Sequence, residues 1–192
     1  MRIVAGRFGS RPLAAPPGMA TRPTSDRLRE TLFNVLAPRI QGASFLDLYS
    51  GSGAVGIEAL SRGSASVVFV ERAPAALKVL RANLDRLGIA NAVRIHATSV
   101  SAFLRRPNSN QAAPFELIFL DPPYDAITEY ASTLALLGAA ASPLLAPNAQ
   151  IVAEHRRKYP LEDQYATLHR TRLLEQGDAA LSFYQRRLPS EP

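Results

Sequence analysis

Apolar residues along this chain fall into two alternating rhythms. Short continuous runs, Phe45-Leu-Asp-Leu-Tyr49, Val67-Val-Phe-Val70 and Phe115-Glu-Leu-Ile-Phe-Leu120, read as strands buried on both faces. Between them, apolar residues recur at helical spacing. The pattern predicts strands near 45–49, 66–71, 92–97, 115–120 and 149–154, and helices near 54–62, 74–87, 99–105 and 126–140. Pro74 suits the first turn of its helix and Gly88 its end. Upstream, Leu28, Thr31, Leu32, Val35 and Leu36 share one face of a helix capped by Thr24 or Ser25, with Asp26 in the first turn and Pro38 expected to end it. Arg27, Glu30 and Asn34 fall on its other faces. Residues 1–13 read as two short strands around Gly9-Ser10, and 14–19 as an irregular Pro/Gly-rich linker. Residues 106–114 read as a polar surface loop, and 166–175 with 179–187 as a terminal hairpin around Gly177-Asp178.

Strand and helix alternation implies a parallel sheet with helices on both faces. Five such strands and the terminal hairpin make a doubly wound, mostly parallel, seven-stranded Rossmann-like sheet. Residues 1–37 form a basic hairpin-plus-helix extension, and 38–192 the main domain. In such a sheet the first and fourth strands lie side by side, and ligands bind at their carboxyl ends.

Both of those strand ends carry chemistry. After the first comes a glycine-rich turn, Tyr49-Ser-Gly-Ser-Gly-Ala-Val-Gly56, opening a helix. Glycines let backbone approach a ligand closely, and the helix start offers N–H donors. The second strand ends on Glu71, placed to accept from ribose hydroxyls. Gly51-x-Gly53-x-x-Gly56 by itself does not separate a nicotinamide cofactor from S-adenosylmethionine. Asp47, inside the first strand, suits a cofactor with a cationic amino-acid tail; the lesser alternative is a loop cap bonding backbone N–H groups, and the two roles are compatible.

The fourth strand runs into Asp121-Pro-Pro-Tyr124. Each proline fixes its own φ and pushes the preceding residue toward extended backbone. A carboxylate, a carbonyl and a flat ring are thereby held in one small space. They suit gripping a planar base by its exocyclic amine.

Charge adds a partner. The net charge is +6, and twenty of the 22 basic residues are arginine. Residues 1–29 hold arginines 2, 7, 11, 22, 27 and 29 against one acid, Asp26; His155-Arg-Arg-Lys158 is a second cluster. Arginine forks match phosphate oxygens, so both suit nucleic-acid contacts; each, and the second as readily, also suits a merely solvated basic face. The absence of cysteine excludes a disulfide scaffold and thiolate catalysis. Three scattered histidines argue against a structural metal. No apolar run approaches membrane-spanning length, and the first residues are not of the signal-peptide kind.

The motifs Asp47-Leu-Tyr-Ser-Gly-Ser-Gly53, Glu71 and Asp121-Pro-Pro-Tyr124 resemble those of amino-directed S-adenosylmethionine-dependent methyltransferases. With Arg2-Ile-Val-Ala-Gly-Arg-Phe-Gly-Ser-Arg-Pro-Leu13 and Arg22-Pro-Thr-Ser-Asp-Arg-Leu-Arg-Glu-Thr-Leu-Phe-Asn34, the chain resembles, over nearly its whole length, the RsmD family. Those are bacterial enzymes that methylate N2 of a guanine in 16S ribosomal RNA. The resemblance implies catalysis by Asp121, Pro122, Pro123 and Tyr124. It implies cofactor contacts from Asp47, Tyr49, Gly51, Ser52, Gly53, Glu71, Arg72, Ser99 and Val100. RNA contacts are implied for Arg7, Arg11, Arg22, Thr24, Arg27 and Asn34. It further implies S-adenosylmethionine without a metal, 16S rRNA or the assembling small subunit as partner, and a cytoplasmic monomer. Ser99 stands where the family usually carries Asp or Asn toward the cofactor's adenine amine. Two other classes share part of the pattern: a DNA adenine-N6 methyltransferase, which shares the tetrapeptide, and a non-catalytic RNA- or dinucleotide-binding module.

Overall fold

A computed structural model describes residues 1–16, 25–106, 114–123, 126–140 and 142–187. The predicted loop at 106–114 and linker at 14–19 fall largely outside these residues. One sheet carries the fold, in the order β3-β2-β1-β4-β5-β8-β7-β6. The parallel strands are β1 (Ser44–Leu48), β2 (Ser66–Glu71), β3 (Val93–Ala97), β4 (Phe115–Leu120) and β5 (Leu145–Arg156). The antiparallel edge is β6 (Gln164–Tyr165), β7 (Leu168–Gln176) and β8 (Ala179–Arg186). The sheet thus has eight strands, where seven were expected. The additional one is the two-residue β6, too short to leave a period-2 signature.

Helices cover both faces. On one lie α1 (Asp26–Ile40), α2 (Ala54–Ser61) and α3 (Pro74–Leu87), whose Leu32, Phe33, Ile57 and Leu80 pack with Phe45, Phe69 and Phe119. On the other lie α4 (Val100–Leu104) and α5 (Ile127–Leu137), whose Phe103, Tyr130 and Leu134 pack with Leu46, Val70 and Ile118. Ser25 caps α1 by accepting from Leu28 N at 3.1 Å. Contrary to expectation, Pro38 does not end α1, which continues to Ile40. Pro38 and Asn34, the residue whose carbonyl lacks its i+4 donor, both lie on the exposed face, where water substitutes.

The first 13 residues form an irregular hairpin rather than two full strands: an antiparallel bridge joins Arg2 and Pro12, Ile3 N donates to Arg11 O (3.0 Å), Ser10 N to Ile3 O (2.9 Å) and Leu13 N to Met1 O (3.0 Å). Side chains of α2 also hold this segment. The buried Glu58 carboxylate on α2 accepts from Val4 N (2.7 Å) and Ala5 N (3.0 Å), and Ser61 Oγ accepts from Phe8 N (2.9 Å). Gly6, at φ +82°, crosses α2 so closely that a Cβ would stand 2.0 Å from Ser61 O. Arg29 of α1 is fully buried; its guanidinium donates to Arg2 O and to Asp26 Oδ1 (2.8 Å). Ile3, Phe8 and Leu13 enter the same core as Phe33 and Phe45.

Candidate active site

Register brings the motifs together. β1 and β4 pair in parallel with Asp47 opposite Phe119 and Leu48 opposite Leu120. Side chains alternate along a strand, so Asp47, Phe119 and Asp121 face the same side. The chains leaving these two strands line one cavity of about 550 Å³, within the usual range for small-molecule sites. Asp47, Tyr49, Gly51, Ser52, Glu71, Arg72, Ser99, Val100, Asp121, Pro122 and Pro123 all line it. Gly53 stands just behind, as the N-cap of α2 at φ +80°, where a Cβ would meet Leu80 Cδ1 at 2.2 Å. Tyr124 lies outside the described residues.

The glycine loop is held from below by carboxylates. Asp47, almost fully buried, accepts from Gly56 N at 2.9 Å. Glu71 accepts from Gly51 N (2.9 Å), Arg72 N (2.8 Å) and Ala73 N (2.7 Å). A carboxylate has about four acceptor positions, so Glu71 keeps about one for a ligand. Asn83 of α3 ties the loop to the N-terminal segment, donating to Ser52 O (3.0 Å) and accepting from Ala14 N (2.9 Å). Ala15 and Pro16, next along that segment, are cavity wall. Ser99 caps α4, accepting from Ala102 N at 3.2 Å.

Among the cavity residues not expected from the sequence are Ser50 and Glu129. Ser50 turns a buried hydroxyl toward the cavity with no protein partner, a place for a ligand's polar group. Glu129 of α5 accepts from the Tyr49 hydroxyl at 2.6 Å, and Thr133 Oγ1 lies 2.7 Å from that hydroxyl. Tyr49, in left-handed backbone at φ +59°, thereby links the glycine loop to the helix that follows the Asp-Pro-Pro turn. Burial and the Glu129 carboxylate push the Tyr49 phenol well above its ordinary value. Glu129 sits in a helix first turn, where any acid is favoured by the dipole, so its sequence position carried no separate signal.

Electrostatically the site is acidic at its floor. Burial raises the Asp47 carboxyl to about 7; the Gly56 N–H opposes this and the Glu71 charge adds to it. Asp121, partly exposed, is held well above the usual carboxylate range by burial, then by the charges of Glu154 and Asp47. The Pro122 carbonyl is approached by the Tyr130 hydroxyl at 3.5 Å, a long contact that leaves it room to accept again. Among the described residues, no group of three or more His, Asp or Glu could hold a metal ion.

The Asp47 value has a consequence for stability. The folded protein holds that proton between pH 3.8 and about 7, where the unfolded chain has released it. The contribution of Asp47 to stability therefore falls as pH rises through this window. Thermal melts of the ligand-free protein should show a smaller loss between mildly acid and mildly basic pH for Asp47→Asn than for wild type. An equal loss in both would mean that Asp47 carries no such proton.

The residues expected to contact RNA are spread along one end of the chain. Arg7, Arg11, Arg27 and Asn34 are exposed. The guanidinium groups of Arg7 and Arg11 lie 5.2 and 5.7 Å from the centroid of the Phe8 ring. Arg22 and Thr24 fall outside the described residues. Of the second basic cluster, His155 is buried, bonding to Ser182 Oγ at 2.9 Å, while Arg157 and Lys158 stay exposed. Its place inside the sheet edge, where β8 covers β5, was invisible in a run of basic residues.

A doubly wound sheet with a glycine loop after β1, an acid ending β2 and an Asp-Pro-Pro turn after β4 defines an α/β fold of the methyltransferase kind. The yhhF protein of Escherichia coli superposes with a TM-score of 0.83 at 34% identity, covering 97% of each chain. A family model described as Conserved hypothetical protein 95 matches residues 1–185. The chain belongs to this family, the RsmD family of its sequence motifs. Ribosomal RNA small subunit methyltransferase D of Haemophilus influenzae is 37% identical over 164 residues, 84% of this chain and 81% of that one. The protein of the same name from Escherichia coli K12 is 41% identical over 124 residues, 65% of this chain and 60% of that one.

Proposed function

We propose that the protein transfers a methyl group from S-adenosylmethionine to the exocyclic N2 amine of a guanine in 16S ribosomal RNA. The observation that carries this reading is the convergence of Asp47, Glu71 and Asp121 on one cavity in a chain of this family. The names of the relatives, Ribosomal RNA small subunit methyltransferase D, support the choice of acceptor.

The residues present fit such a cofactor. The remaining acceptor position of Glu71 suits a ribose hydroxyl, the orphan Ser50 hydroxyl takes a further polar group, and Asp47 ionises opposite a cationic amino-acid tail. Tyr49, Gly51, Ser52, Gly53, Arg72, Ser99 and Val100 complete the walls and the turn beneath them. When bound, S-adenosylmethionine supplies a methyl group on a positively charged sulfur. The guanine amine is a poor nucleophile because its lone pair is delocalised into the ring. Asp121 and the Pro122 carbonyl accept its two hydrogens and draw the nitrogen toward tetrahedral geometry. Pro123 stiffens the turn and Tyr124 supplies a ring for stacking. Catalysis comes from positioning and from stabilising the amine as it becomes cationic; the new N–C bond would form as the sulfur–methyl bond breaks, leaving S-adenosylhomocysteine, and the methylated nitrogen would then lose one proton to solvent. The target base must be unpaired or flipped out to reach the turn.

The segment 1–37 grips the surrounding RNA through Arg7, Arg11, Arg22, Thr24, Arg27 and Asn34, by phosphate and shape. The main domain, 38–192, carries the chemistry without a metal. On this reading the protein works as a monomer in the cytoplasm, where its ribosomal RNA substrate is made.

Labelled S-adenosylmethionine, offered with 16S rRNA, assembled small subunits or DNA, tests the reading. Label is expected in rRNA, free or in the subunit; label in DNA alone would overturn it. Replacing both Arg7 and Arg11 with alanine is expected to weaken RNA association and flatten its salt dependence, while S-adenosylmethionine affinity stays the same. A salt slope equal to wild type would remove these arginines from the interface.

A further inference from the structure

Among the described residues, three large apolar side chains are well exposed: Ile127 (54%), Tyr159 (43%) and Leu173 (41%). Two of the three, Ile127 and Tyr159, line one shallow cleft of about 40 Å³ together with Tyr130, Pro160 and Leu161. The cleft lies between the start of α5 and the turn that follows β5.

Three features give this patch a partner. The first is charge. Arg157 and Lys158 are exposed beside Tyr159, and Lys158 Nζ stands 4.9 Å from the Tyr159 ring centroid. Of the acids just downstream, Asp163 is held by Arg170. A ring with cations beside it is the arrangement by which proteins stack a base and hold its phosphate.

The second is rigidity. Buried His155 lies inside the turn, with Nδ1 3.1 Å from Arg156 O and 3.2 Å from Tyr159 O, while Ser182 Oγ is 2.9 Å from its Nε2. Tyr159 N donates to Arg156 O at 3.0 Å and Arg157 N to Asp178 O at 2.9 Å. The ring is therefore presented on an ordered turn, and less conformational freedom is lost on binding.

The third is position. Tyr130 is a wall of this cleft, and its hydroxyl reaches Pro122 O on the turn that grips the target base. The Tyr130 side chain thus joins the cleft to the Asp121-Pro-Pro turn.

We propose that the Ile127–Tyr159 cleft, with Lys158 and Arg157, is a stacking platform for the unpaired RNA nucleotide that flanks the target guanine. This rests on the rRNA methyl-transfer reading. The platform holds the strand splayed out beside the flipped base, so that the target's neighbour does not restack and draw it back.

The test is the affinity of a fluorescent single-stranded RNA oligonucleotide, read by anisotropy. Tyr159→Ala is expected to weaken binding about tenfold, as for loss of one base–aromatic stack. Tyr159→Trp should keep wild-type binding, and Lys158→Ala should lower the salt dependence. S-adenosylmethionine binding and thermal melting of each variant guard against misfolding. Equal oligonucleotide affinity for wild type and Tyr159→Ala overturns the proposal. So does a Tyr159→Ala defect confined to assembled subunits and absent with protein-free RNA, which would assign the patch to a ribosomal protein. If the wild type transfers methyl to no rRNA substrate, the functional reading fails, while the oligonucleotide measurement still decides the platform.

Discussion

Asp121→Ala is expected to lower methyl transfer by about 100-fold or more while leaving the fold and S-adenosylmethionine binding nearly intact. The carboxylate stands at the end of β4, after the last paired residue, Leu120, and no strand pairing depends on its side chain. Its burial between the charges of Glu154 and Asp47 costs the folded protein energy, so its removal should not destabilise. Asp121→Asn separates two roles. An amide oxygen still accepts one hydrogen from the guanine amine but brings no charge to offset the cation forming there, so partial activity is expected. A general base that strips a proton before attack would leave Asn as inactive as Ala. The raised Asp121 carboxyl adds a pH signature: wild-type turnover should climb with pH as its proton leaves, and Asp121→Asn should lose that climb. Single-turnover methylation decides; equal rates for wild type and Asp121→Ala would take this residue out of the mechanism.

Glu71→Ala should weaken S-adenosylmethionine binding by about 1–3 kcal/mol, some 5- to 150-fold. Two effects add. The ligand loses an acceptor, and the N–H groups of Gly51, Arg72 and Ala73 lose the carboxylate that orders them. The second effect should also lower the melting temperature of the ligand-free protein. Glu71→Gln restores one oxygen but turns an amide NH2 toward backbone donors, so it should recover only part of the affinity. Calorimetry is the readout, with no NAD binding expected in any variant. Undiminished affinity in Glu71→Ala would place the ribose elsewhere.

Much of the site was legible because its signals are local. Apolar runs bounded by prolines or glycines announced β1, β2 and β4, and right-handed parallel winding placed their carboxyl ends together. The adjacency of β1 and β4, which puts Asp47 near Asp121, followed from topology. What stayed hidden depends on distant partners. Arg29 looked like one more cation for nucleic acid, yet it is buried because Arg2 O and Asp26 come from either side to receive it. Glu58 gave no sign that it would anchor Val4 and Ala5, residues far away along the chain. The anchoring adds to the N-terminal hairpin, whose arms still share backbone bonds between Ile3 and Arg11 and between Met1 and Leu13. β6 pairs through two residues only, and Pro38 was tolerated because its lost bond faces water.

The most direct test of the central claim is the identity of the methylated nucleoside. 16S rRNA, free or in small subunits, would be incubated with the wild-type protein and labelled S-adenosylmethionine, digested to nucleosides and resolved by mass spectrometry. The account predicts label in N2-methylguanosine, and its near absence when Asp121→Ala replaces wild type. Label in N6-methyladenosine, or none in guanosine under conditions where the protein binds S-adenosylmethionine, would contradict it.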